Sequence, residues 1–315
     1  MKEPLFSILI ANYNNGEFIV ETLDAALSQT YPNIEIVIVD DTSTDNSVEI
    51  IKKYIAENPQ ANINLYLNYS NYGCGRNKRK CIDASKGEFF AFLDPEDTIE
   101  PTAVEELMAI HLKNDKKYSI VYSTHYLCNS KLEVQSTSNW AGKIPVGQSN
   151  LTSTGGHISH FVVFNKFFYD KTEGTNPHYV VAEDMDLYLK MEEVAPVFFL
   201  DKPLYYYRKH DNNISWNDTK KIINAHYLLL AQEAAYRRRK KNKINISNLS
   251  FWEIKRERLL YNLLLFEHNF IKRNFLKSLG YLFRSFLYVY VDKDFYILKR
   301  IKKITKKITK NCRKR

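Results

Sequence analysis

The first two hundred residues alternate short apolar runs with stretches of helical periodicity. Four runs read as strands: Phe6–Ala11, Ile34–Val39, Ile63–Leu67 and Glu88–Leu93. They are rich in β-branched and aromatic residues and too short for buried helices. Between and after them, residues 17–29, 45–54, 78–85 and 101–113 space their apolar positions for helices, as Phe18, Leu23, Ala26 and Leu27 do. Thr44 or Asp45 offers a cap for the second helix, and Pro101 opens the fourth. Strands alternating with helices predict an α/β domain whose mostly parallel mixed sheet carries helices on both faces.

Further along, residues 129–156 are rich in Ser, Thr, Asn and Gly and predict a long surface loop. Strand patterns return at Ile158–Phe164, Val197–Leu200 and Leu204–Arg208, with a helix over Ala182–Met191 after the first. Beyond Asn217 the pattern is helical only, at about 217–243, 250–272, 274–291 and 294–309, with Leu259, Leu260, Leu263, Leu264 and Phe266 on one apolar face. Two domains follow, 1–215 and a helical basic extension, 216–315.

Charge sharpens that division. The net charge of +9 averages two unlike parts. Residues 236–315 hold 24 Lys and Arg against 5 Asp and Glu, and the rest hold 21 against 31. A basic extension on an acidic body seeks anionic surfaces. Aromatics with sparse cations in Phe275–Val291, and Ile297, Ile301, Ile304 and Ile308 among lysines, suit a lipid interface. A solvated helix with an ordinary tertiary contact is the other reading. No nucleic-acid-binding module is recognisable, so nucleic acid is not an expected partner. Phe275–Val291 is the nearest approach to a membrane span, but Lys277 and Arg284 interrupt it. The first fifteen residues lack the pattern of a signal peptide. Cys74, Cys81, Cys128 and Cys312 form no CxxC pair, which predicts reduced thiols. The expected location is cytoplasmic, peripheral on the inner face of the cell membrane. An apolar fraction of 44% with 26% charged residues excludes wholesale disorder and small disulfide scaffolds.

Ligands of open α/β sheets sit beyond the carboxyl ends of the strands. Asn12-Tyr13-Asn14-Asn15 follows the first predicted strand, Asp40-Asp41 the second and Asp94-Pro95-Glu96-Asp97 the fourth. Crowded carboxylates repel unless a cation joins them, and hard oxygens favour Mg²⁺ or Mn²⁺, most naturally with a phosphorylated ligand. Each cluster taken alone equally suits a helix cap. No GxGxxG follows the first strand, which argues against a dinucleotide oxidoreductase.

Phe6–Asn14 with Ile36–Asp41, Gly73–Lys78, Gly87-Glu88, Phe92–Asp97, Glu183–Leu187 and Tyr207–His210 together resemble the inverting glycosyltransferases of family 2, of the bacterial polysaccharide or lipopolysaccharide type. The resemblance covers residues 5–215 and implies a GT-A fold, a nucleotide-sugar donor with a UDP-sugar favoured, and a glycan or lipid-linked acceptor. By position, Ala11, Asn12 and Tyr13 would line the nucleobase pocket and Asp40 would bind base or ribose. Asp94 and Glu96 would hold Mn²⁺ or Mg²⁺, with His210 approaching the metal and Asp94 also facing the ribose. Glu96 stands where the commoner pattern has a second Asp, and Asp97 follows it. Lys78 would lie near the phosphates, or else be a solvated lysine of a basic run. Asp184 is the expected base, taking the acceptor hydroxyl's proton as it attacks the anomeric carbon. Glu183 or Asp186 would raise its proton affinity by like-charge repulsion, and only one of Glu183 and Asp184 is expected to enter the site. Arg208, with Lys78 and His210, would neutralise the departing diphosphate. His157 and His160 are read as acceptor contacts or loop polarity. A non-catalytic protein of the same fold, binding nucleotide or anionic polymer through its basic tail, is the alternative.

Overall fold

The computed structural model describes residues 3–153, 157–209, 218–244, 251–272 and 274–286. The chain divides into two units, Met1–Asn213 and Ile214–Arg315.

In the first unit the order is β1 (Phe6–Asn12), α1 (Ile19–Leu27), β2 (Ile34–Asp40), α2 (Ser47–Glu57), β3 (Ile63–Leu67), α3 (Cys74–Ala84), β4 (Phe89–Phe92), β5 (Thr98–Ile99), α4 (Ala103–Lys113), β6 (Ile120–Cys128), β7 (Val134–Thr137), β8 (Val162–Asn165), α5 (Lys166–Tyr169), α6 (Glu183–Glu192) and β9 (Val197–Arg208). One sheet runs β3-β2-β1-β4-β8-β6-β9-β5, with β7 beside β6. Pairs β1–β2, β1–β4, β2–β3 and β6–β9 are parallel. The helical crossovers α1, α2 and α3 impose this direction on the first four strands. Strand β8 runs antiparallel between β4 and β6, and β5 and β7 are antiparallel to β9 and β6. Six of the nine described strands therefore point one way, and the expected mostly parallel mixed sheet is what forms.

Both faces of the sheet are buried. Ile8 and Ile10 of β1 belong to one apolar cluster with α1 and α4, whereas Leu9 belongs to another with α3 and α6. A strand covered on two sides needs an unbroken apolar run, which is why β1 and β2 do not alternate with polar residues.

Several boundaries differ from the sequence pattern. Helix α3 begins at Cys74, a turn before Lys78, after Gly73 in a left-handed conformation with φ of 82°. The two runs at 197–200 and 204–208 are one strand, β9, whose register slips against β6 where Pro203 faces Thr124. Proline lacks the ladder donor and is tolerated at such an irregularity. Strand β6 was not expected, although Ile120–Tyr122 is a β-rich run, and β7 forms inside the expected loop.

The second unit contains α7 (Asp218–Lys241), α8 (Phe251–Ile271) and α9 (Phe275–Phe286). Arg258 of α8 donates to both carboxylate oxygens of Glu233 of α7, at 2.8 and 2.6 Å. Leu259, Leu263 and Phe266 are buried, while Leu260 and Leu264 are half-buried. The expected helix at 294–309 lies outside the described residues. Among those described, no helix is long and apolar enough to cross a membrane.

Candidate active site

Asn12 ends β1 and is fully buried. Its Nδ2 donates to Asp40 Oδ2 at 2.7 Å and to Ser43 Oγ at 3.3 Å. Ser43 donates to Asp40 through its backbone N–H at 2.8 Å and its hydroxyl at 2.6 Å. Asp40 thus shapes the loop after β2, and Tyr13, 45% exposed, lies one residue beyond Asn12. Neighbouring Asp41 accepts from Asn68 Nδ2 at 2.7 Å and from the backbone N–H groups of Tyr72 and Gly73 at 2.9 and 2.8 Å. This carboxylate holds the start of α3 against the end of β2.

The 94–97 turn is clamped from behind. Asp97 is fully buried and accepts from Arg208 N–H and Tyr205 hydroxyl, each at 2.7 Å. Burial, reinforced by Asp94, pushes its carboxyl well above the usual aspartate range. The Arg208 guanidinium donates to Glu96 O at 2.6 Å, Ser130 O at 2.8 Å and Glu21 Oε2 at 2.8 Å, and lies over the Phe18 ring. Its charge is placed behind the turn, outside the cleft lining. Asp97 and Arg208 therefore set the position of Asp94 and Glu96.

In front of the turn opens a narrow cleft lined by Lys78, Phe92, Asp94, His160, Glu183 and Asp184 among others. Because α3 starts a turn early, Lys78 points inward and is not the solvated lysine of a basic run. Its Nζ lies 2.8 Å from Glu183 Oε1 and 3.6 Å from Asp94 Oδ1. Cys74, one turn earlier on α3, donates its thiol to the same Glu183 oxygen at 3.3 Å. Burial opposes the Lys78 ammonium, but Asp94 and Glu183 outweigh it and lift its pKa well above the lysine norm. Burial likewise opposes ionisation of Glu183, and Lys78 outweighs it, holding that carboxyl below its usual range.

Asp184 is different. Burial, then the adjacent Glu183 charge, raises its proton affinity, and Lys78 and His160 only partly offset this. Its Oδ1 accepts the Met185 N–H at 2.7 Å. Both Glu183 and Asp184 line the cleft, which corrects the expectation that only one would enter. Ala182 before them is left-handed (φ 58°, ψ 21°), a strained state for a residue with a Cβ, and it turns the chain into α6 so that both acids face α3. Asp186 is buried and paired with Lys190 at 2.6 Å, and Lys190 also donates to Gly174 O at 2.8 Å. That acid anchors α6 within the fold.

His160 stacks on Tyr205 with centroids 4.8 Å apart. No sequence pattern assigned Tyr205 or Cys74 a role in the site. Their partners Asp97 and Glu183 lie more than a hundred positions away, and no local pattern marks the contacts.

Asp94 and Glu96 are half-buried and offer hard oxygens. Among the described residues no three His, Cys, Asp or Glu side chains converge to hold an ion. Asp94 lines the cleft, and Glu96, two residues on in the same turn, lies outside that lining. Magnesium-like ions commonly rest on one or two carboxylates plus substrate phosphates, so Asp94 is the carboxylate placed to share a cation with a diphosphate. His210 lies outside the described residues.

Residues 7–172 match the model of the family described as glycosyl transferase family 2. Over 213 residues the chain is 30% identical to chondroitin synthase of Escherichia coli, covering 67% of this chain and 30% of that protein. It thus spans less than a third of that relative's length. Among solved structures, TarS of S. aureus in complex with UDP-GlcNAc superposes with a TM-score of 0.55 at 17% identity, covering 87% of this chain and 89% of the other. The mannosyltransferase PcManGT of Pyrobaculum calidifontis, in complex with GDP-Man and Mn²⁺, gives 0.57 at 14% identity, covering 92% and 86%. At these identities the structures speak for the shared GT-A fold, and the family match across more than half of the chain places it in glycosyl transferase family 2.

Proposed function

We propose that the chain is an inverting glycosyltransferase of cell-surface polysaccharide synthesis, moving a sugar from a nucleotide-sugar donor to a hydroxyl of a glycan or lipid-linked acceptor. The observation that carries this reading is Asp184, a carboxylate with raised proton affinity in a cleft whose other charged groups are the Lys78, Glu183 and Asp94 cluster. A general base needs a proton affinity above that of an ordinary carboxylate, and burial beside Glu183 supplies it.

The donor nucleotide lies over the ends of β1 and β2. Exposed Tyr13 stacks on the base, Ala11 borders the pocket, and buried Asn12 with Asp40 orients the loop beside it. A UDP-sugar is favoured because the family resemblance implies it and TarS, of the same fold, is recorded with UDP-GlcNAc. Asp94, with Glu96 and His210 as the resemblance implies, would hold Mn²⁺ or Mg²⁺, which would supply positive charge to the diphosphate. Lys78, kept protonated by its two acidic neighbours, faces the same leaving group. Asp184 takes the acceptor proton as the hydroxyl attacks the anomeric carbon on the side opposite the diphosphate, inverting that centre. Glu183 fixes Lys78 and raises the proton affinity of the base.

The basic second unit holds the enzyme on the cytoplasmic, anionic surface of the membrane, near a lipid-linked acceptor. Each cation close to such a surface contributes about 1 kcal/mol.

Transfer from UDP-sugars to a glycan acceptor with Mn²⁺ tests the reading. Asp184→Asn should retain donor binding and lower transfer by roughly two to four orders of magnitude. Near-full activity in that variant, with Glu183→Gln or Asp186→Asn inactive, assigns the base elsewhere. Wild-type protein that binds nucleotide yet transfers no sugar from any donor supports the non-catalytic alternative.

A further inference from the structure

Helix α9 is inverted relative to an ordinary surface helix. Its buried positions are serines: Ser278 is 1% and Ser285 0% exposed. Ser278 donates to Phe266 O of α8 at 3.2 Å, and Ser285 donates to Tyr281 O at 3.0 Å. Three large apolar side chains face outward, Leu276 86%, Leu279 60% and Phe283 69% exposed, while Tyr281 and Leu282 are half-buried. At 3.6 residues per turn these three fall within about 60° of arc. Lys277 and Arg284, both exposed, lie about 80–100° from Leu276 at the edge of that stripe and about 110–130° from its centre, on one flank of it.

We propose that the Leu276–Leu279–Phe283 face of α9 is a membrane-inserting surface that takes the acyl boundary of an anionic bilayer, with Lys277 and Arg284 meeting the lipid phosphates. The inference rests on the reading that the basic second unit binds membranes, and it names the side chains that enter. Single exposed Leu or Phe side chains are ordinary, but three on one stripe form a contiguous patch, which marks an interaction surface. Charge selects the occupant. The stripe lies within a stretch of 80 residues holding 24 cations and 5 acids, which complements an anionic leaflet. Among the described residues no helix is long and apolar enough to cross a membrane, and Lys277 and Arg284 interrupt this one, so the proposal lays it in the interface plane. Long cationic side chains can bury their stems beside the stripe while their heads reach water.

Two forces of different salt dependence follow. Contacts between cations and headgroups fade as the Debye length shrinks, but acyl burial does not. The test is flotation of the full chain with vesicles of phosphatidylcholine containing one third phosphatidylglycerol, at about 0.1 M and about 0.5 M salt. Wild-type protein should keep a measurable bound fraction at the higher salt. Leu279→Gln with Phe283→Gln should lower partitioning at least tenfold there, and Phe283→Leu should retain it. Since these side chains are exposed, the melting temperature and helix content of the variants should match wild type. If the glutamine variant partitions like wild type at high salt, insertion by this face is overturned while electrostatic binding of the unit stands. If wild type ignores the vesicles altogether, both readings are overturned. Wild-type dimers that dissociate on Phe283→Gln, without vesicle binding, make a second copy the occupant and also overturn the proposal.

Discussion

Lys78 offers the sharpest test of the site. Its ammonium lies 2.8 Å from Glu183, and the two side chains are only 12% and 6% exposed. Replacing Lys78 by Met keeps much of the side-chain volume and leaves Glu183 as an uncompensated buried charge. Breaking one partner of a buried pair costs about 3–5 kcal/mol. For a unit of this size that corresponds to a fall of roughly 6–20 °C in melting temperature, at 2–4 °C per kcal/mol. Glu183→Gln alone should be milder, because Asp94 still faces Lys78. With both changes Glu183 is no longer a stranded charge and Asp94 alone of the two acids has lost its cation, so the loss should be smaller than the sum by about 2 kcal/mol or more. Chemical denaturation of the four proteins completes the cycle. The pH dependence supplies a second reading. The depressed carboxyl of Glu183 contributes stability above the usual glutamate range, and this is lost as pH falls through its lowered pKa. Raised, Lys78 contributes below the usual lysine range, and this is lost as pH rises through its lifted pKa. The pair is thus fully stabilising between those ranges, and Lys78→Met should abolish the acid-side loss. Additive single effects, within about 0.5 kcal/mol, would refute the coupling.

Because the Asp184 carboxyl is raised, kcat/KM should fall as pH drops through a value above the usual aspartate range, where the base gains its proton. The same burial means that Asp184→Asn should stabilise the unit by about 0.5–2 kcal/mol while losing transfer, and a lowered melting temperature would contradict the buried-charge argument. Glu96→Gln should weaken nucleotide binding in Mn²⁺ at least tenfold, about 1.4 kcal/mol, as isothermal titration would show, and equal binding in chelator would exclude a shared cation. At Gly75 an added Cβ would collide with the carbonyl oxygens of Tyr179 and Asn176. Gly75→Ala should therefore move α3 away from the 176–179 segment, lowering transfer more than a surface glycine change such as Gly280→Ala, which meets nothing.

The alternation of apolar strands and amphipathic helices over the first 113 residues determined the first four strands and their crossovers, because burial on both faces demands continuous apolar runs. Placement of acids at strand ends identified Asp40, Asp94 and the 94–97 turn, and the Glu183-Asp184 pair was legible at the start of its helix. Which of these acids faces the cleft was a tertiary decision. Asp97 and Asp94 share one turn, yet Arg208 and Tyr205, arriving on β9, draw Asp97 inward and leave Asp94 beside Lys78. Lys78 reads as one more cation of a basic run, and only the early start of α3 at Cys74 turns it into the site. In α9 the pattern announced an amphipathic helix but not its orientation. A helix of given periodicity can present either face, and only packing of Ser278 against α8 determined that the apolar one points outward.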